Sequence, residues 1–241
     1  MKADLEAARA LLRQCALFHN LSAEVRDKIV ARARMRRFAN RETIFSAGDP
    51  RESLMAIMTG TVQISGFAPD GRQIVLAILH AGEVFGEIAL LDGKARSADA
   101  RAMADCTVAV IDRSDVVDLL DRHPEAWRSF VEVLCARLRS TDEHLVEIAL
   151  LDLPSRLAHA LLRFAEPGKQ GPRAVRLSQR DLGNIVSASR ERVNHWLQEW
   201  QRAGVVKVAK GAILLLDEKR LQDLPKPARR LGTRVARVQS L

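Results

Sequence analysis

The sequence predicts an α+β protein built in consecutive parts: a β-rich N-terminal region, one long helix, and a small basic region of helices and a hairpin. Three observations carry that prediction. Short apolar or alternating runs separated by turn residues fill the stretch from Glu42 to Ile111. An a/d heptad seam runs through the segment that follows. The charge is also split: residues 1–152 hold 20 Lys and Arg against 23 Asp and Glu, whereas residues 153–241 hold 18 against 7. Such an asymmetry in a chain of 241 residues points to a division of labour, the basic part facing a polyanion.

The β-like runs are Leu54–Met58, Thr61–Ser65, Ile74–Leu79 and Thr107–Ile111, with turns at Thr59-Gly60, Pro69-Asp70-Gly71, Ala81-Gly82 and Asp92-Gly93. Asp-Gly between two such runs is a strong hairpin signal because glycine accepts positive φ. Many short strands at this spacing suit a sandwich or barrel and not βαβ units. Ahead of them, Ala3–Cys15 and Ser22–Arg34 have helical character.

The long helix is expected to open at Pro124, a residue favoured in a first helical turn, and to run to about Leu151. Trp127, Val131, Leu134, Leu138, Thr141, Leu145 and Ile148 follow spacings that alternate between four and three, the seam of a two-stranded coiled coil. An amphipathic helix lying on its own domain would show a similar stripe. Thr141 is the polar exception on the seam. Asp152-Leu153-Pro154 breaks the pattern, with Asp152 placed to cap the next helix. Helices are then expected at Ser155–Ala165, Ser178–Val186 and Arg190–Ala203, and a hairpin from Val205–Val208 and Ala212–Leu216. The segment from Pro225 to Leu241 contains five basic residues and no acidic one, the composition of a disordered tail.

Composition excludes several classes. The longest interior apolar run, Ile74–Leu79, is six residues, far short of the roughly 18 a membrane helix needs. The first twenty residues lack a signal-peptide layout, which points to the cytoplasm. Cys15, Cys106 and Cys135 lie far apart, an arrangement that fits neither a disulfide scaffold nor a metal-ligand set. No P-loop, metal cluster or nucleophile–base pair is visible and the six histidines are scattered, so no enzyme and no metal is expected.

Two constellations carry chemistry. In the first, Leu182, Ile185 and Val186 form the inner face of a short helix, and Gly183 is small enough to let a second helix cross closely. Ser187-Ala188-Ser189 makes a turn, with Ser189 as N-cap. Val193, Trp196, Leu197 and Trp200 form the apolar side of a second helix. Two helices joined this tightly read as helix-turn-helix. At about 100° per residue, Arg190, Asn194, Glu191 and His195 share one face at the N-terminal end of the second helix, where recognition helices meet base edges. Arg190 can bind guanine O6 and N7, and Glu191 can accept from cytosine N4. Ser178, Gln179, Arg180, Ser189 and Arg192 would sit near phosphates, and the hairpin carrying Lys207 and Lys210 would form a basic wing. A solvated polar face on an ordinary helix is the competing reading. The second constellation runs from Gly86 to Ala98. A glycine followed by a short apolar turn can present backbone N–H groups to an anion; Arg96 and Ser97 add a cation and a hydroxyl, and Glu87 an acceptor for a sugar hydroxyl. Glu87 and Arg96 would equally make a surface ion pair.

Phe85-Gly86-Glu87 with Arg96-Ser97-Ala98, followed in order by the long helix and Ser189-Arg190-Glu191-Arg192-Val193-Asn194, resembles the Crp/Fnr family of bacterial transcription regulators, nearest the catabolite activator proteins. The likeness covers about 17–221. It implies a jelly-roll cyclic-nucleotide-binding domain over 1–123, a coiled-coil dimerisation helix and hinge over 124–152, a winged helix-turn-helix over 153–224 and a basic tail over 225–241. By resemblance, Glu87 binds the ribose 2′-hydroxyl, Arg96 and Ser97 with the N–H groups about Gly86, Ile88 and Ala98 hold the cyclic phosphate, and Thr141 and Arg137 lie at the purine. Asp142 stands where the activator has a serine, and its acceptor-only side chain could receive a guanine N–H, so both cyclic AMP and cyclic GMP stay open. His195 replaces an arginine of the recognition helix. The segment Glu166–Arg173, expected as a loop, is shorter than in the activator. The implied partners are double-stranded DNA with a pseudo-palindromic operator, a cyclic nucleotide, a second copy of the chain and RNA polymerase, with no membrane and a nucleoid location. Two other classes remain: a regulator of this fold gated by haem, redox or a small metabolite, and a cyclic-nucleotide-binding regulatory protein without a DNA role.

Overall fold

A computed structural model describes residues 10, 15, 17–18, 21–50, 52–68, 71, 73–168 and 171–225. The helix expected over Ala3–Cys15, most of the Pro69-Asp70-Gly71 turn and the tail beyond Pro225 lie outside the described residues. The chain divides into two compact units, 1–141 and 142–241, with the boundary inside the long helix.

The first unit contains α1 (Ala23–Arg32), eight strands β1 (Arg34–Phe38), β2 (Thr43–Phe45), β3 (Ser53–Thr59), β4 (Thr61–Phe67), β5 (Gln73–His80), β6 (Val84–Phe85), β7 (Asp99–Ala102) and β8 (Cys106–Asp112), with α2 (Glu87–Asp92) between β6 and β7. Helix α3 (Arg113–Arg122) follows, then α4 (Ala126–Leu150). The strands form two antiparallel four-stranded sheets ordered β1-β8-β3-β6 and β2-β7-β4-β5. One core lies between them: Met55 and Ile57 of β3 and Val108 and Val110 of β8 pack with Val62, Leu79 and Ala100 of the other sheet. Leu54, Ala56 and Met58, pointing the opposite way, pack with Ala109 and Ile111 against Val25 and Ile29 of α1, Leu119 of α3 and Phe130 of α4. Strand β3 is therefore buried on both faces, which is why its sequence is continuously apolar and not alternating.

Two differences from expectation are instructive. Ser22 caps α1, accepting from the Val25 N–H, but the helix stops at Arg32, and Arg34–Phe38 is an edge strand paired with β8. Its arginines face solvent and only Phe38 is buried, so its charge hides its strand character. The long helix begins at Ala126, two residues beyond Pro124, which sits in the preceding turn.

The second unit takes the end of α4 and adds α5 (Leu153–Phe164), β9 (Glu166–Gly168), β10 (Gly171–Val175), α6 (Gln179–Ile185), α7 (Arg190–Arg202), β11 (Val206–Ala209), β12 (Ala212–Leu215) and α8 (Glu218–Gln222). Asp152 caps α5 by accepting from the Ser155 N–H at 3.0 Å, with Pro154 in the first turn. Glu166–Arg173 is not a loop: it contributes β9 and part of β10 to a sheet ordered β11-β12-β10-β9. Gly and Pro are poor strand formers, so this strand is imposed by pairing, Ala174 and Val175 lying opposite Leu214 and Ile213.

Helices α6 and α7 form the helix-turn-helix. Ser178 and Asp181 make a reciprocal capping box, and Ser189 caps α7. Leu182, Ile185, Val193 and Leu197 are buried between the helices. A side chain at Gly183 would put its Cβ 2.7 Å from the Ala188 carbonyl oxygen. The constraint is thus the turn folding back on the first helix, not a crossing of helix on helix.

Candidate functional site

In the first unit the structure gathers Gly86, Glu87, Arg96 and Arg137. Gly86 is the N-cap of α2 in the left-handed region, at φ 83°. A Cβ there would lie 2.3 Å from Nη1 of Arg96, so a side chain would strain the backbone and push the guanidinium from its place. Arg96 is 5% exposed. Its Nη1 donates to the Gly86 carbonyl at 2.9 Å and its Nη2 to the Ser53 carbonyl at 2.7 Å. The guanidinium carbon lies 4.4 Å from the centroid of the Phe45 ring, a cation–π contact. Burial pulls the arginine pKa down, opposed by the carboxylates of Glu87, Asp49 and Glu52. Its Nε is shielded from solvent and has no hydrogen-bond partner. A buried cation with a bare donor is poised for an anionic acceptor, because an unmet buried donor costs about 1–3 kcal/mol.

Glu87 is 3% exposed and pairs with Arg137, Nε to Oε1 at 3.0 Å. Nη2 of Arg137 also donates to the Val84 carbonyl. A residue of α4 is thus locked to the first residue of α2. One turn on, the hydroxyl of Thr141 donates to the Arg137 carbonyl at 3.0 Å, satisfying a polar group on the apolar stripe. Ile88, Ser97, Thr141 and Asp142 are exposed, and Ala98 is buried. Ser53 and Phe45, which hold Arg96, escaped sequence reasoning. The only signal was a serine opening a strand that is otherwise apolar. Much of the expected seam of α4 is open to solvent: Leu138 is 63% and Leu145 64% exposed, with Trp127 and Val131 exposed as well, while Leu134 and Ile148 are half-buried.

In the second unit, Arg190, Glu191 and His195 are exposed along the start of α7. Asn194 is half-buried, its side-chain carbonyl accepting from Nε2 of Gln179 at 3.1 Å, so these two brace α6 against α7. The backbone N–H of Glu191 and the Ser189 hydroxyl hold the Glu191 carboxyl below its usual range, helped by Arg190. Arg180, Arg192, Lys207 and Lys210 are exposed cations, and the β11–β12 wing is tied to α7 by the Val208 N–H donating to Oε1 of Gln201 at 2.8 Å. Among the described residues no cluster is arranged to hold a metal, and no helix is long and apolar enough to cross a membrane.

Comparison with known proteins agrees with this division. A cyclic nucleotide-binding domain family matches residues 35–123, and a Crp-like helix-turn-helix domain family matches residues 155–224. The chain is 32% identical to the CRP-like cAMP-activated global transcriptional regulator of Mycobacterium tuberculosis, over 76% of this chain and 84% of that protein. It is 30% identical to the cyclic AMP receptor protein of Thermus thermophilus, over 86% and 95%. Among solved structures it is similar to the c-di-GMP-responsive global regulator CLP of Xanthomonas campestris, with a TM-score of 0.72 and 25% identity over 80% of this chain and 99% of that one. The first and the third of these are named as regulators of transcription or gene expression, not as enzymes. With a nucleotide-type β domain, a long helix and a helix-turn-helix in one chain, the protein belongs to the Crp/Fnr family of transcription regulators.

Proposed function

We propose that the protein is a homodimeric cytoplasmic regulator whose sequence-specific binding to a pseudo-palindromic operator is controlled by a cyclic nucleotide. The observation that carries this reading is Arg96, a buried guanidinium with an unpartnered Nε, seated beside a positive-φ glycine whose side chain would displace it. That donor, the N–H groups of the first turn of α2 and the Ser97 hydroxyl match a cyclic phosphate, and Glu87 matches a ribose hydroxyl. Ile88 and Ala98 flank the same turn. Thr141 is placed to meet the purine, and Asp142, acceptor-only, favours a base presenting N–H donors. Cyclic AMP is the first candidate, being the effector in the names of the two relatives given above, and cyclic GMP the second.

The exposed stripe of α4 supplies the dimer: burying one leucine contributes about 1.5–3 kcal/mol, and four large apolar side chains are open. Two copies would set their α7 helices about 34 Å apart, one turn of DNA. Arg190, Glu191 and His195 then read bases, while Ser178, Gln179, Arg180, Ser189, Arg192 and Lys210 hold phosphates. The 1–123, 124–152 and 153–224 segments act as sensor, dimer helix with hinge, and reader, and RNA polymerase is the downstream partner.

The test is calorimetric titration of the full chain with cyclic AMP, cyclic GMP and cyclic di-GMP, with and without operator DNA, beside Arg96→Ala. Binding of a mononucleotide that Arg96→Ala abolishes in a folded protein supports the reading, and so does an equal factor by which DNA tightens the nucleotide. Unaltered affinity in Arg96→Ala, or no binding of either mononucleotide, overturns it.

A further inference from the structure

Four titratable or charged side chains meet where the end of α4 lies along α5, and the function just proposed uses none of them. Glu147 of α4 faces two histidines. Nδ1 of His144, on its own helix, lies 3.9 Å from Oε2, and Nδ1 of His159, on α5, lies 3.6 Å from Oε1. Neither distance is a formed hydrogen bond. The other ring nitrogen, Nε2, is shielded and unpartnered in both histidines. Arg163 of α5 adds its charge, and it lines the same small cavity as His144, Glu147 and Arg156. Helix α6 closes that cavity with Ile185 and Val186 and brings no charge to it. From α7, the charge of Arg192 acts on Arg156, which is otherwise balanced by Asp152 and Glu147. On the far side, Glu218 of α8 is taken up by Arg173.

We propose that His144, Glu147 and His159 form a proton-operated latch that fastens the end of α4 to the first helix of the DNA-binding unit, so that pH sets how strongly the nucleotide controls DNA binding. The argument is one of charge. Glu147 is held ionised by the His144 side chain first, then, against the cost of burial, by Arg163 and His159. With both imidazoles neutral, one carboxylate faces two arginines across the junction, and the histidines offer it no charge. Histidine is the side chain that changes charge between about pH 5 and 8. A proton on His159 creates an ion pair that crosses from α4 to α5. A proton on His144 competes for the same carboxylate from within α4. The junction therefore has different cross-ties at different pH, and it adjoins Leu151–Asp152, where α4 gives way to α5. A metal centre is the rival use of two histidines and a glutamate, but the three are not arranged to hold one.

The proposal rests on the switch described above, so its test has one arm that needs neither DNA nor nucleotide. In the full chain at about pH 6.5, Glu147→Gln should shift the imidazole carbon signals of both histidines, since the carboxylate faces Nδ1 of each ring. Unmoved signals in the folded variant overturn the latch. In the second arm, the ratio of operator affinities with and without nucleotide is measured from about pH 6 to 8; His195, which faces DNA in both states, cancels in that ratio. A change of about tenfold is expected in the wild type, the effect of a proton midpoint that differs by one unit between two states. His144→Gln with His159→Gln, which keeps side-chain volume and a polar end, should flatten it to within about twofold. A ratio independent of pH in the wild type, or equally dependent in the double variant, overturns the proposal. A protein that never binds DNA would overturn the switch itself, and the imidazole signals would still decide on the latch.

Discussion

Gly86→Ala, set beside Gly82→Ala, isolates the placement of a single cation. Both glycines lie in the left-handed region, at φ 83° and 90°. Each alanine variant pays the same backbone strain, about 1–2 kcal/mol. The surroundings differ: a Cβ at Gly82 meets nothing within 4 Å, whereas one at Gly86 lies 2.3 Å from Nη1 of Arg96. Arg96 must then leave, losing the hydrogen bond to the Gly86 carbonyl and disturbing the one to Ser53. A bond from a charged donor is worth about 1.5–3 kcal/mol, so Gly86→Ala should cost about 3–5 kcal/mol in all against about 1–2 for Gly82→Ala. Urea denaturation measures both costs, and nucleotide titration on the folded proteins measures the site. Gly82→Ala should bind nucleotide as the wild type does and Gly86→Ala at least tenfold more weakly, a 1.4 kcal/mol change or more. Equal destabilisation and equal affinity in the two variants would refute the idea that this glycine exists to seat Arg96.

Three further outcomes are expected. Arg190→Ala should cost about 1–3 kcal/mol of operator affinity and relax the preference at one base pair; a uniform loss on every sequence, read by competition binding, would make it a phosphate contact. Leu138→Asp, at a position 63% exposed in the single chain, should yield monomers by sedimentation while leaving the chain's thermal unfolding largely unchanged. Asp152→Ala removes the acceptor for the Ser155 N–H and should cost about 0.5–2 kcal/mol. The Asp152 pKa is lowered by the adjacent Ser155 hydroxyl and by the bond it accepts from the Ser155 N–H. Its contribution is therefore present above the unfolded value of about 3.9 and lost as pH falls through the folded value, so wild type and variant should converge in acid.

The legible parts of this chain are those where one face decides the pattern. The helix-turn-helix could be read because Leu182, Ile185, Val193 and Leu197 are buried at helical spacing and both caps are serines with their oxygens on the expected N–H groups. Strands β3 and β8 could be read as strands, but not that they carry two cores, since an apolar run says nothing about how many faces are covered. Strand Arg34–Phe38 leaves little trace in the sequence because an edge strand needs few apolar residues, and Glu166–Arg173 reads as a loop because the pairing with β12 overrides the turn chemistry of Gly and Pro. At the site, Gly86, Glu87 and Arg96 stood out as residue types. Their supports did not: Ser53 lies 43 positions from Arg96, and a backbone carbonyl acceptor such as Val84 leaves no mark in sequence.

Those supports tie the Gly86–Arg96 constellation, proposed above to hold a nucleotide, to the long helix. Arg96 donates to the carbonyl of Gly86, and Gly86 is bonded to Glu87, which holds Arg137. The carbonyl of Arg137 accepts from Thr141. An anion arriving at Arg96 competes with the Gly86 and Ser53 carbonyls for the guanidinium, and a sugar hydroxyl at Glu87 competes with Arg137. Only the second competition touches a charge that α4 is already using, that of Arg137. A ligand moves an equilibrium only by its differential affinity for the two states, and here the differing contacts are those between Glu87 and Arg137. Thr141 spends its hydroxyl on its own helix in the absence of a better partner, so a purine that draws it away also frees a backbone carbonyl one turn earlier. A polar residue on an apolar stripe is tolerated on these terms, because its bond is local and can be exchanged. An Arg137→Met variant should therefore bind nucleotide at Arg96 yet lose most of the nucleotide's effect on DNA affinity. If full coupling survived that change, the path from pocket to helix would have to run elsewhere.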